Sequence, residues 1–252
     1  MIFMEKITFK NSRGLSLVGN FYYSKSKSIV ILSHALANDK SERGKLDAVA
    51  EKLNGSGFGV LAFDFSGCGE SDDDTLTIEK EVDDLKSAID FVKSKGYKTI
   101  GLFGHSIGAL VSLGCYSSEI KTMVLWSPIT NKVRYAWKDK LSKGQLEELN
   151  EKGYYTRTRT NAIRLVYHID KKLLRERELV NQKELLGGVS CPVLIIQGTN
   201  DLSVPVVDSE NAIKLLPKGS NLEIVVGADH DFTNHVDEMV KLTNDWFVKQ
   251  HL

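Results

Sequence analysis

Apolar positions along the chain follow two rhythms. Short, nearly unbroken apolar runs recur at 28–33, 59–63, 99–103, 120–126 and 192–196, the pattern of strands covered on both faces of a parallel sheet. Between them, apolar residues return every three or four positions, as in Ile78, Val82, Leu85, Ile89 and Val92, which predicts helices with one buried stripe. Glu79, Glu81 and Asp83 stand near that helix's start, where negative charge favours the dipole. Helices are also predicted at 42–53, closed by Asn54-Gly-Ser-Gly57, and at 206–216. A last one puts Val236, Met239, Val240, Trp246 and Phe247 inward. A further strand is read at 222–226. At the amino end, 6–10 and 15–23 flank Asn11-Ser-Arg-Gly14 and read as an antiparallel hairpin. Strand–helix alternation predicts an α/β chain: a mostly parallel central sheet, helices on both faces and the hairpin at one edge.

The stretch 129–188 breaks this rhythm. It is rich in Lys, Arg, Glu and Tyr, with helices predicted at 143–152, 160–168 and 171–184 and no buried strand, so it reads as an insertion. Arg157, Arg159, Arg164, Lys171, Lys172, Arg175 and Arg177 offer a charge that would attract an anionic substrate, but acids are interspersed among them and a solvated helix face is the expected reading. Its aromatic residues include Trp137, Tyr154, Tyr155 and Tyr167.

At 252 residues the chain is expected to be one domain, 1–252, carrying that insertion. Lys plus Arg and Asp plus Glu both number 33, which offers no electrostatic case for nucleic acid or an anionic membrane. Cys68, Cys115 and Cys191 are odd in number and far apart, as reduced thiols would be. The start lacks a charged segment followed by an apolar one, and no apolar run spans a bilayer. A cytoplasmic enzyme is expected.

The chemistry centres on Gly104-His105-Ser106-Ile107-Gly108, a G-x-S-x-G match between an apolar strand and a helix rich in small residues. In so sharp a turn a side chain two residues before or after the serine would meet backbone, which glycine avoids. The turn presents the Ser106 hydroxyl at the sheet's carboxyl edge and leaves the Ile107 N–H free for an oxyanion. A serine needs a base and a carboxylate to orient it. His230 follows an apolar strand and projects from the same edge, whereas His105 lies inside the turn. For the acid, Asp201 follows the strand 193–196, with Asp208 next. Gly67-x-Gly69 lacks a third glycine and precedes Asp72-Asp-Asp74, so it reads as a structural turn and not a dinucleotide loop. No metal-binding spacing and no cofactor signature appears.

The order Ser106, Asp201, His230 is that of the α/β-hydrolase triad. With Ser33-His34, Asp64-x-x-Gly-x-Gly-x-Ser71, Gly198-Thr-Asn-Asp201, Val204-Pro205 and Gly227-Ala-Asp-His230, the chain resembles the α/β-hydrolase superfamily from end to end. Within it, the chain resembles the bacterial cinnamoyl/feruloyl esterase-like group, close to monoglyceride lipase and serine aminopeptidase-like hydrolases. That resemblance implies an α/β-hydrolase fold with a helical lid at about 129–188 over the pocket, with Trp137, Tyr154, Tyr155, Tyr167 and His34 as candidates to line an acyl or aromatic site. It also implies a second oxyanion N–H from Leu36, near His34, with Ala35 standing where relatives carry glycine. The expected function is a serine carboxylesterase acting on small to medium, including hydroxycinnamoyl, esters through an acyl-enzyme. Thioesterase, peptidase or acyltransferase chemistry on the same triad is the alternative, as is a slow-turnover small-molecule receptor. A dehalogenase or epoxide hydrolase would need a carboxylate at the turn. The expected partner is a small-molecule ester, with a homodimer left open.

Overall fold

A computed structural model describes residues 4–160 and 162–252. In chain order the strands are β1 (Met4–Lys10), β2 (Ser16–Tyr22), β3 (Ser28–Ser33), β4 (Gly59–Phe63), β5 (Thr75–Leu76), β6 (Thr99–His105), β7 (Ile120–Trp126), β8 (Tyr154–Thr158), β9 (Val166–Asp170), β10 (Val193–Gly198) and β11 (Asn221–Val225). The helices are α1 (Lys45–Gly55), α2 (Ile78–Ser94), α3 (Ile107–Gly114), α4 (Lys143–Lys152), α5 (Lys171–Leu179), α6 (Gln182–Gly187), α7 (Val206–Ala212) and α8 (Val236–Lys249). Eight strands form one sheet in the order β1-β2-β4-β3-β6-β7-β10-β11. Pairing is antiparallel at β1–β2 and β2–β4 and parallel from β4 to β11.

Every residue of β3, β4 and β10 is buried, which is why these runs lack polar alternation. On one face α1 and α8 bring Leu46, Val49, Leu53, Met239 and Phe247 against Val30, Leu32, Phe103 and Trp126. On the other, Leu85, Ala88 and Val92 of α2 and the apolar residues of α3 meet Ile31 and Leu102. Each fully buried large side chain contributes about 1.5–3 kcal/mol. Buried indoles find hydroxyl acceptors: Trp126 Nε1 donates to Thr243 Oγ1 at 2.9 Å and Trp246 Nε1 to Thr122 Oγ1 at 2.8 Å. The chain runs outward from β3 to β4 and returns to β6 on the opposite side of β3. Strand order therefore reverses between β3 and β6, where open α/β sheets hold ligands beyond their carboxyl ends.

The segment 129–188 departs from the sequence reading. The helix over 143–152 is present as α4, but 160–168 is not a helix. Its described part leads into β9, which pairs antiparallel with β8 and parallel with β5. Tyr155 on β8 and Tyr167 and Ile169 on β9 are buried, so buried strands exist where none was predicted. β-branched and aromatic residues at alternate positions favour the pleated form despite the arginines between them. The helix expected over 171–184 is broken: Asn181 Oδ1 accepts from Lys183 N and Glu184 N and starts α6 anew. The first α/β helix also begins later than predicted. Glu42 and Arg43 have φ of 46° and 61°, a turn that carries Glu42 into the interior before α1 starts.

Candidate active site

Between β6 and α3 the backbone turns at Ser106, with φ 56° and ψ −112°. That conformation costs a non-glycine residue on the order of 1–3 kcal/mol, and the surroundings hold it. Ser106 N–H donates to Trp126 C=O at 2.9 Å, and Ser106 C=O accepts from Ala109 N–H at 3.2 Å. A Cβ on Gly104 would lie 2.4 Å from Gly108 O, and one on Gly108 would lie 2.3 Å from Ser33 O. Both are backbone contacts that cannot yield, so the steric need for both glycines is real.

Three side chains distant in sequence meet at this turn. His230 Nε2 lies 2.9 Å from Ser106 Oγ, and His230 Nδ1 lies 2.8 Å from Asp201 Oδ2. Asp201 follows β10 and is held by four donors. Its Oδ1 accepts from Ser203 N–H and Val204 N–H at 2.8 Å each, and its Oδ2 accepts from Gln197 Nε2 at 2.9 Å and from His230. Burial pushes the Asp201 carboxyl up, but His230 and the Val204 N–H outweigh it and hold the pKa below the usual aspartate value. The alternative acids are engaged elsewhere. Asp208 accepts from Arg134 and Asn131, Asp229 from Thr233, and Asp231 from Lys45.

Beyond Ser106 lies a cavity of about 370 Å³ lined by Leu36, Ile107, Trp137, Tyr155, Val204 and His230, among others. Among the described residues, no protein acceptor takes the N–H of Leu36 or of Ile107. Ala35 is outside the positive-φ region, and the left-handed residue of this loop is Ala37, at φ 51°. Alanine therefore fits at position 35. Of the candidate lining residues, Trp137 and Tyr155 border the cavity, whereas His34, Tyr154 and Tyr167 do not. His34 Nε2 accepts from Phe65 N–H at 3.2 Å and its Nδ1 meets Ala35 O at 2.8 Å. Tyr154 packs on His168 at a centroid distance of 4.6 Å. Tyr167 is fully buried, and that burial raises its pKa to about 12.

Sequence reasoning missed Glu42 and His105. Glu42 is fully buried; its Oε1 accepts from Ala35 N–H, and its Oε2 lies 2.8 Å from His105 Nδ1. His105 Nε2 in turn meets His230 O at 3.0 Å. One carboxylate thus ties the loop after β3 to the loop bearing His230. Burial opposes its charge, but His105 and Lys45 lower its pKa to about 2. The signal for this was faint: a glutamate in a stretch read as an ordinary helix start. Lys40, also buried, bridges Asp64 and Glu70 at 2.7 Å each and fastens the same loop to the turn after β4. Cys68, Cys115 and Cys191 are free and buried. Among the described residues no group of three His, Cys, Asp or Glu is arranged to hold a metal, and no helix is long and apolar enough to cross a membrane.

A serine at a strand–turn–helix apex on a mostly parallel sheet, with helices on both faces, defines an α/β-hydrolase. The chain belongs to the family described as serine aminopeptidase, S33, whose sequence pattern matches residues 24–163. It is 30% identical to the Homo sapiens serine hydrolase BPHL over 218 residues, 78% of this chain and 72% of that protein. It is 25% identical to the Monkeypox virus monoglyceride lipase homolog over 85% of this chain and 86% of that protein. In structure it is similar to ferulic acid-bound Est1E from Butyrivibrio proteoclasticus, with TM-score 0.78 and 20% identity over 97% of this chain and 98% of that one. The protein is a hydrolase among esterase, lipase and aminopeptidase relatives.

Proposed function

We propose that the protein is a serine carboxylesterase working through an acyl-enzyme on Ser106, with His230 as base, Asp201 as the carboxylate that orients it, and the N–H groups of Leu36 and Ile107 as the oxyanion hole. The observation that carries this reading is the unbroken run Ser106 Oγ, His230 Nε2, His230 Nδ1 and Asp201 Oδ2, at 2.9 and 2.8 Å, opening onto a cavity of about 370 Å³. Ser106 Oγ attacks the ester carbonyl carbon while His230 Nε2 takes its proton. The tetrahedral oxygen's charge falls between the two free N–H groups. Collapse breaks the bond to the alcohol, which leaves with the proton returned by His230. Water, deprotonated by the same imidazole, then attacks the acyl carbon and releases the acid and Ser106.

The cavity's size suits small to medium acyl groups, and Trp137 and Tyr155 give it aromatic walls compatible with a hydroxycinnamoyl ester. Because the segment 129–188 supplies those walls, it serves as the lid of a single-domain enzyme. Three reduced, buried thiols fit the cytoplasm. Ser106→Ala is expected to lower hydrolysis of a 4-nitrophenyl ester by about 10⁶-fold and to abolish labelling by a fluorophosphonate. Near-native turnover by that variant would sink the mechanism. Matched esters, thioesters and anilides assayed side by side separate an esterase from its thioesterase and peptidase rivals.

A further inference from the structure

We infer that the cavity beside Ser106 selects substrates carrying an anionic group, such as a carboxylate, sulfonate or phosphate, bound by Arg157, Arg159 and Arg177. The inference rests on the esterase reading above and specifies its substrate class. Tyr155, Arg157 and Arg159 stand two residues apart, along β8 and just past its end. They present one face to the cavity. Arg177 lines the same cavity from α5.

Of the other arginines, Arg13 sits against Asp84 at 2.7 Å, Arg134 against Asp208 and Arg164 against Asp73 at 2.8 Å, whereas Arg43 and Arg175 have no carboxylate within ion-pair distance among the described residues. The three cavity arginines have no such partner among the described residues. Arg159 Nη2 donates to Leu36 C=O at 3.1 Å, while its Nε is buried without an acceptor. Arg177 Nη1 donates to Asn131 C=O at 3.2 Å, and burial lowers its pKa to about 10. Burial and the neighbouring charges of Arg157 and Arg43 likewise lower that of Arg159, outweighing Tyr167 and Asp231, which act to raise it. The one carboxylate lining the cavity, Asp231, is joined to Lys45 at 3.2 Å. A second cavity of about 490 Å³ shares Asn38, Arg157, Arg159 and Asp231 with the first and adds Arg43, Lys45 and Glu42, the last engaged by His105 at 2.8 Å, so that cations outnumber carboxylates in the combined lining. Guanidinium forks in a partly desolvated site recognise planar or tetrahedral oxyanions with charge-assisted hydrogen bonds.

The test compares kcat/KM for matched pairs in two arms. One puts the charge on the acyl side, a 4-nitrophenyl monoester of hexanedioate against 4-nitrophenyl hexanoate. The other puts it on the leaving group, 4-acetoxybenzenesulfonate against 4-acetoxybenzenesulfonamide. In at least one arm the anionic ester is expected to be preferred by about tenfold or more, the worth of one charge-assisted bond. Arg157→Gln should reduce that ratio by about the same factor, and Arg157→Glu should invert it. Arg157 is chosen because substituting Arg159 also removes a bond to the Leu36 loop. Ratios near one in both arms, or a ratio untouched by either substitution, would overturn the inference, since a merely structural change lowers both members of a pair alike. Calorimetric binding of the hexanedioate monoester to Ser106→Ala and to Ser106→Ala/Arg157→Gln gives a readout without turnover. Equal affinities overturn the anion site, whereas weaker binding by the double variant in a protein that hydrolyses no ester keeps the site and removes the esterase reading.

Discussion

Gly108 shows how little room the turn at Ser106 leaves. A methyl group there would lie 2.3 Å from Ser33 O, so Gly108→Ala must push α3 and the loop after β3 apart. A displacement near 1 Å costs about 100-fold in rate, and kcat/KM for a 4-nitrophenyl ester is expected to fall at least that far, with a lower melting temperature. On the proposed mechanism Asp201→Asn loses the carboxylate that selects the His230 tautomer, and kcat should drop about 10⁴-fold. Because donors converge on both oxygens, the amide NH2 faces a donor whichever way it is turned, and the urea midpoint should fall as well. Ser106, Asp201 and His230 were legible because a strand, a turn residue and a chain order define them. Glu42 and His105 were not: they pair with each other across 63 positions of sequence, and their other partners are Ala35 N–H and His230 C=O, backbone groups no side-chain pattern announces. Glu42→Ala leaves His105 buried without its anion, and chemical denaturation should register a loss of about 3–5 kcal/mol.

At the level of elements, α2 tests how far periodicity can be trusted. Of its predicted stripe, Leu85, Ile89 and Val92 are buried and Ile78 and Val82 half-buried, yet Glu81, read as a charge near the helix start, is buried with Oε2 lacking a partner. Burial and then the charge of Asp84 raise its pKa well above the usual glutamate value. A folded-state pKa above the unfolded one means that the protonated form favours folding, and the cost of the charge appears as pH rises past that of the unfolded chain. Glu81→Gln is therefore expected to stabilise the protein by on the order of 1–3 kcal/mol at pH 7.5 and by less at pH 4.5, as read from urea midpoints. The strands β8 and β9 were missed because arginines at alternate positions look like a solvated helix when the partner strand is unknown. Once paired, the same alternation places Tyr155 and Arg157 on one side.

Across the whole molecule, layer order and sheet direction followed from the alternation of apolar runs and amphipathic stretches, whereas the internal form of the segment 129–188 depended on pairing with β5, far away in the chain. Acid should expose the balance of its carboxylates. Glu42 and Asp201 are held below their ordinary pKa values, so the stability they supply is complete above about pH 4.5 and declines as pH falls toward 2. Protonation also turns a balanced chain of 33 basic and 33 acidic residues into a self-repelling cation. Thermal unfolding followed from pH 7 to pH 3 should show a falling melting temperature below pH 4.5, with a shallower slope in Glu42→Gln. The bond from Arg159 Nη2 to Leu36 C=O has one more consequence. Because an arm of the segment 129–188 grips the loop opposite Ser106, grafting the corresponding segment from a relative would, on the proposed mechanism, alter turnover number together with selectivity, and chimeras made to exchange specificity alone would have to carry the 34–38 loop along.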